Sequence, residues 1–331
     1  MYRFETNAYL RALCLLLTVA LSSLVQAEQG LITAARSDDE NLVAELLAAG
    51  ADPNTRQGDG STALHWAAHR NNGEAVQFLL GSGANPDASN ELGATPLWLA
   101  ASNGSAAVVE KLLTAGANPN ARLRMGETSL MSASRTGDLD TVSLLINAGA
   151  EIDAAEEERG QTALMWAVAQ SHRAVASMLL EHGADLNARS KVWYQLENTA
   201  GNTNPSGNYR MAHGGSSAIM FASRVGDIDT AETLLDAGAN VNDTAASGVS
   251  ALTQAAHSGH EELAIYLLER GADPNAIEAG YTPLHAAVLR SELKLVRALL
   301  EHGAAIDIPV EHGTPGRRFS ADYSIRSQLI G

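Results

Sequence analysis

Cysteine is almost missing: Cys14 is the single thiol in 331 residues. That excludes a disulfide framework and any cysteine-cluster zinc or iron–sulfur site. Lysine occurs only at Lys111, Lys191 and Lys294, and basic residues number 22 against 38 acidic ones. The resulting net charge of −16 argues against nucleic acid as a general partner. Aromatic residues make up only 5% of the chain. Small side chains, chiefly Ala and Gly, must therefore pack closely in place of a few ring-centred cores. The apolar run Ala12–Leu21 is shorter than the roughly 20 residues a membrane-spanning helix needs. What is present, 45% hydrophobic and 18% charged residues, suffices for a folded core.

Arg3 and Arg11 come before or at the start of that run, and the small-residue site Val25-Gln26-Ala27 follows it. This is the order of a secretory signal peptide, expected at 1–27. Cys14 sits behind Arg11 at the beginning of the apolar run, not where a lipid-bearing cysteine would follow it. Cleavage after Ala27 leaves a cysteine-free chain, exported to the periplasm or secreted, with no membrane insertion; the alternative is an uncleaved anchor. The excess of arginine over lysine and the abundance of alanine fit a GC-rich, bacterial genome.

The chain also repeats itself. Tetrapeptides beginning at Thr62, Thr95, Thr128, Thr162, Ser217, Ser250 and Thr282 align, at spacings of 33, 33, 34, 55, 33 and 32. A Gly-Ala landmark at Gly50, Gly83, Gly116, Gly149, Gly183, Gly238, Gly271 and Gly303 keeps the same clock and skips at the same place. Elementary physics accounts for the pattern. The leading Thr or Ser can accept from a free amide of a first helical turn, worth roughly 1 kcal/mol. Pro96 and Pro283 follow at a position where the missing N–H costs nothing. Leu64, Ala67 and Ala68 fall on one helical face, as do Leu97, Ala100 and Ala101. A second helix contributes leucine pairs such as Leu79-Leu80 and Leu299-Leu300, and the following Gly can end it in the left-handed region. The Asp or Asn after Gly-Ala suits a turn.

Thr62-Ala-Leu-His65, Thr95-Pro-Leu-Trp98 and Thr282-Pro-Leu-His285 resemble the ankyrin repeat, whose signature is T-P-L-H-x-A at a period of 33. The resemblance covers nearly all of the chain after residue 28. It implies an all-α ankyrin-repeat solenoid of about eight helix-turn-helix repeats with hairpin loops, over 28–308. The repeats are expected near 29–57, 58–90, 91–123, 124–157, 158–190, 213–245, 246–277 and 278–308, the first degenerate, with Gln29 in place of Thr. Residues 191–212 form an inserted loop containing Trp193, Tyr194 and Tyr209; it reads equally as a loose bulge or as a contact loop with aromatic anchors. Residues 309–331 read as an irregular C-terminal segment, with Gly316 where a buried Leu belongs. A frayed last repeat, a truncated array and a covering partner are the alternatives there.

No catalytic constellation stands out. His65 and His69 have helical zinc-site spacing but lack an intervening H-E-x-x-H glutamate, and His65 is the signature histidine of its repeat. The acidic run Glu156–Glu158 reads as a solvated hairpin tip. The resemblance implies protein–protein recognition without cofactor or metal, through a groove lined by hairpin tips and first-helix ends. The variable helix-end positions are Arg70, Asn103, Arg135, Gln170, Arg224 and Arg290. Hairpin positions add Arg56, Asp59, Glu91, Arg122, Arg124, Glu127, Arg159 and Tyr281, and the insertion adds Trp193 and Tyr194. Recurrent arginine on an acidic chain points to another protein with an acidic segment as partner, since guanidinium forks grip carboxylates bidentately. Two other classes stay open: a hydrolase or transferase site built by the insertion with Glu197 and Tyr209, and an envelope or glycan-binding module.

Overall fold

The computed structural model describes residues 30–198 and 208–310. The expected signal peptide, the tip of the insertion and the segment beyond residue 310 lie outside the described residues. Within them the chain is an all-α repeat solenoid with one small sheet. Helix α1 (30–36) is followed by α2 (Glu40–Ala48), α3 (Ala63–His69), α4 (Gly73–Gly81), α5 (Pro96–Ser102) and α6 (Ala106–Thr114). Next come α7 (Ser129–Thr136), α8 (Leu139–Asn147), α9 (Ala163–Ala169) and α10 (Arg173–Glu181). The antiparallel strands β1 (Trp193–Asn198) and β2 (Asn208–His213) precede α11 (Ala218–Val225), α12 (Ile228–Asp236), α13 (Ala251–Ser258), α14 (Glu261–Glu269), α15 (Pro283–Arg290) and α16 (Leu293–Glu301).

The chain divides into two compact units. One holds the residues up to Arg124 with Thr128–Ala133 and Asp140–Ala150; the other holds Met125–Glu127, Ser134–Leu139 and everything from Glu151 onward. In the first, α3 packs on α5, and α4 lies between α2 and α6. In the second, α9, α11, α13 and α15 pack in succession, with α10, α12, α14 and α16 as the second layer.

Local chemistry explains these short helices. Thr95 Oγ1 accepts from Trp98 N at 3.2 Å, and Ser250 Oγ from Thr253 N at 3.1 Å. The second helices are capped differently, by Asp39 on Leu42 N and Asn72 on Ala75 N. Leu64, Ala67 and Ala68 are fully buried, as are Ala100, Ala101, Ala255 and Ala256, so first helices touch through methyl groups. Two leucine pairs split: Leu79 and Leu299 are in the core, whereas Leu80 is half-buried and Leu300 is exposed; in Leu267-Leu268 both are buried. Adjacent positions on a helix point about 100° apart, so one side faces the core and the other its rim.

Two ladders hold the hairpins. In the first, the Asx residue after Gly-Ala closes its own turn: Asp52 accepts from Asn54 N, Asn85 from Asp87 N, and Asp273 from Asn275 N. The next Asx then reaches the following repeat. Asn54 accepts from Asn85 N at 2.8 Å and donates to Gly83 O at 3.0 Å, and Asn242 does the same toward Asp273 N and Gly271 O. In the second ladder the tips join backbone to backbone. Glu91 N donates to Asp59 O and Arg124 N to Leu92 O in the first unit. Glu157 N to Met125 O, Lys191 N to Arg159 O and Ala246 N to Gly214 O continue the pattern in the second.

The insertion therefore leaves this ladder after Lys191 and rejoins it at Gly214. Its base is pinned by Ser190 N to Ser216 O, Gly215 N to Ser190 O, and Arg189, which donates to Gly215 O and Thr244 O and pairs with Asp243. Beyond that base its described residues pair as two antiparallel strands, with Trp193 opposite His213 and Leu196 opposite Arg210.

Candidate functional site

The first unit uses several residues expected at a partner surface to hold itself together. Arg56 donates to Ser89 O in the next tip, 2.8 Å away. Asp59 accepts from Ser61 N, and that amide, the largest influence, holds its carboxyl below the usual range. Arg70 Nε donates to Arg36 O at 3.0 Å, and Asn103 Nδ2 to His69 O at 2.8 Å. Both satisfy a carbonyl at the end of the preceding first helix, which has no partner within that helix. In the second unit His172 and His260 do the same for Arg135 O and Arg224 O, at 3.0 and 2.9 Å. The carbonyl only accepts, so each histidine donates through Nε2.

Tyr281 is a correction. Expected on the hairpin surface, it is only 2% exposed, and burial pushes its hydroxyl well above the ordinary range. The residue just before the helix cap faces inward in several repeats: Ser61, Ala94, Ser216 and Val249 occupy the same position and are buried too. The acidic run also divides. Glu157 and Glu158 are exposed, but Glu156 is buried, its carboxylate accepting from the amides of Glu158, Arg159 and Gln161. His65 is structural: Nδ1 accepts from Thr62 N, Nε2 donates to Ala94 O, and desolvation lowers its pKa.

The remaining expected residues are more open. Glu91, Arg122, Arg124 and Gln170 are exposed and Glu127 is half-buried. Arg122 lies across an isolated bridge from Thr128, and Arg290 pairs with Glu292 at 3.0 Å. In the second unit guanidinium groups lie on rings. Arg135 sits 5.1 Å from the centroid of Trp166, Arg159 5.9 Å from Trp193, and Arg224 5.4 Å from Phe221. Arg224 is half-buried, and its pKa is lowered first by desolvation and then by the charge of Arg159. Trp193 stacks on His213 at 5.5 Å. Tyr194 is exposed on the other hairpin face, with Arg210 at 5.6 Å from its ring.

Trp166 and Arg210 were missed in the sequence. A signal existed for the first: Arg36 lies over Trp66 at 4.4 Å, the same repeat positions as Arg135 and Trp166. For Arg210 none did, because its partner depends on strand register. Among the described residues no group of three His, Cys, Asp or Glu is arranged to hold a metal ion. No described helix is long and apolar enough to cross a membrane. A shallow hollow of about 540 Å³ lies between Leu139 and the α10 residues Arg173, Ala174, Ser177, Met178 and Glu181, away from the tips.

Paired short helices, backbone-linked tips and the Asx ladder define a repeat protein that displays side chains on a regular frame. The family model for ankyrin repeats matches residues 31–123, 108–190 and 219–311, more than half of the chain, and the chain belongs to that family. Such repeats bind other proteins. The chain is similar to an ankyrin repeat domain-containing protein of Stachybotrys chartarum, 33% identical over 150 residues that cover 45% of this chain and 7% of that protein. It is 31% identical over 184 residues to a probable E3 ubiquitin-protein ligase of Oryza sativa, covering 46% of this chain and 33% of the ligase. A putative ankyrin repeat-containing protein of Treponema pallidum is 38% identical over 92 residues, 27% of this chain and 31% of its own. The chain thus spans a third or less of the length of these relatives.

Proposed function

We propose that this chain is an exported, non-enzymatic scaffold that binds a partner protein through the hairpin tips and first-helix ends of its repeats, and that the partner presents an acidic segment. The observation that carries this reading is the exposure of large side chains at the hairpin tips. In the first unit Leu92 is 67% exposed and Arg124 is exposed; in the second Met125 is 54% exposed and Arg159 is exposed. Exposed apolar side chains next to arginine have the composition of an interaction surface. The order of Arg3, Arg11, Ala12–Leu21 and Val25-Gln26-Ala27 supports export.

Crosslinking the full chain in the exported fraction of its source cells tests the scaffold reading. A single partner should be captured by the wild type and lost when Leu92 and Met125 are replaced by Asp. Equal capture by that variant, with an unchanged helical spectrum, removes the tips from the interface. Fractionation with N-terminal sequencing of the mature chain tests export; a chain that begins at Met1 and stays in the cytosol refutes it.

A further inference from the structure

We infer that the second unit recognises carboxylate side chains of an acidic polypeptide segment through three ring-backed guanidinium groups, Arg135 on Trp166, Arg159 on Trp193 and Arg210 on Tyr194. This rests on the scaffold reading and adds to it which arginines grip the partner and by what chemistry.

Arg56 and Arg70 spend their N–H groups on backbone carbonyls, Arg189 on Gly215 O, Thr244 O and Asp243, and Arg173 reaches Asp229, Glu232 and Thr233. Arg270 pairs with Asp236 and Arg290 with Glu292. These six are structural. Arg135, Arg159 and Arg210 are exposed, and among the described residues no carboxylate pairs with them. Each has one thing in common, a ring within 6 Å.

A ring under one face of a guanidinium orients the group without consuming its in-plane N–H donors. The fork is left at the edge, where a carboxylate oxygen pair can dock, and part of the side-chain ordering cost is met before the partner arrives. Backbone hydrogen bonds, strand register and helix packing place these rings and arginines on fixed supports. Arg159 lies in the tip whose carbonyl accepts from Lys191 N at the hairpin base, Trp193 and Tyr194 begin β1, and Arg210 stands opposite Leu196 in the register. Trp166 belongs to α9, the helix that follows that tip.

The hairpin supplies the apolar complement. Alternation along the strands turns Met211 and His213 inward, both buried, and leaves Tyr194 62% and Leu196 63% exposed beside Arg210. An acidic segment carrying an aliphatic residue matches that mixture: carboxylates for the forks, a side chain for Leu196 and the ring edge. The acidic neighbours Glu157 and Glu158 are exposed in the same tip as Arg159 and would oppose such a segment, so neutralising them should tighten binding.

The test uses the full chain and a short fluorescein-labelled peptide repeating Glu-Ser-Glu-Leu, read by anisotropy at low and high salt. The wild type should bind it, more weakly at high salt, and should bind the matching Gln-Ser-Gln-Leu peptide about tenfold more weakly or worse. Arg135→Gln, Arg159→Gln and Arg210→Gln combined should lose about tenfold or more, and the triple Lys variant should lose several-fold because charge survives while the stacked fork does not. Glu158→Gln should tighten binding. If the triple variant misfolds, Arg210→Gln alone, on the exposed hairpin face, must still weaken binding. Equal affinity for both peptides, an unaffected Gln variant, or tighter binding of a phosphoserine peptide overturns the inference. Failure of the wild type to bind any peptide also overturns it, yet leaves the scaffold reading standing if crosslinking still captures a tip-dependent partner.

Discussion

His65 Nε2 donates to the carbonyl of Ala94, 3.0 Å away in the next repeat, while its Nδ1 accepts from the amide of Thr62. One neutral imidazole thus closes a helix cap and joins two repeats. Protonation would place a donor against the Thr62 amide and a charge in a desolvated site.

The first prediction follows from the sign of that shift. The folded pKa of His65 is depressed below the ordinary 6.5 by desolvation, and that of the more open His285 is depressed by the same cause. Their contribution is complete above about 6.5 and is lost as pH falls toward the depressed values. Urea midpoints measured from neutral pH downward should fall for the wild type and fall less for His65→Gln, which starts from a lower midpoint. A variant with the wild-type slope removes His65 as the cause.

Asn242 links two repeats with both halves of its amide, accepting from Asp273 N and donating to Gly271 O. Asn242→Asp keeps the acceptor and turns the donor into a second oxygen facing a carbonyl. A loss of about 1–2 kcal/mol in chemical denaturation is expected. Asp87→Asn should cost less, since Asp87 only accepts, from Asn118 N.

Gly226 and Gly83 both have φ in the left-handed region, +81° and +88°, but differ in surroundings. A Cβ on Gly83 meets nothing within 4 Å, so Gly83→Ala should cost only the backbone strain, about 1–2 kcal/mol. A Cβ on Gly226 would overlap the ring of His260, which satisfies Arg224 O. Gly226→Ala should cost more than Gly83→Ala, and the double variant with His260→Ala should cost less than the sum of the singles. Additive losses would show that the ring does not set the penalty.

Tyr281 buries its hydroxyl with no hydrogen-bond partner among the described residues. Tyr281→Phe should therefore be neutral or stabilising by up to about 1 kcal/mol, and Tyr281→Ala should cost about 3–5 kcal/mol through the cavity. Thermal melts of the two variants check this; a strongly destabilised Phe variant would reveal that the hydroxyl is satisfied.

Much of the fold was legible because it is periodic. Thr95, Thr162, Ser250 and Thr282 cap helices as their side-chain chemistry requires, and the alanine faces at Ala67-Ala68 and Ala255-Ala256 are buried as a 3.6-residue period demands. The surface was less legible. Arg70 and Asn103 look like free variable positions, but an open helix-end carbonyl in the preceding repeat claims each side chain. Tyr281 looks like a tip residue and Glu156 like part of a solvated run, because polarity does not report which side of a turn faces the core.

The sequence by itself determined the repeat length, the helix pairs, the caps and the turn residues, since each depends on neighbours a few positions apart and recurs with the period. Only the tertiary structure decided which arginines are spent and which stay available, which Asx residues bind two repeats together, and that Trp193–Asn198 and Asn208–His213 of the insertion pair as antiparallel strands. Those outcomes depend on groups about 20 to 60 residues apart meeting at hydrogen-bond or ring-contact distance. Side-chain type fixes what a residue can bond to, and packing fixes whether a partner inside the chain reaches it first.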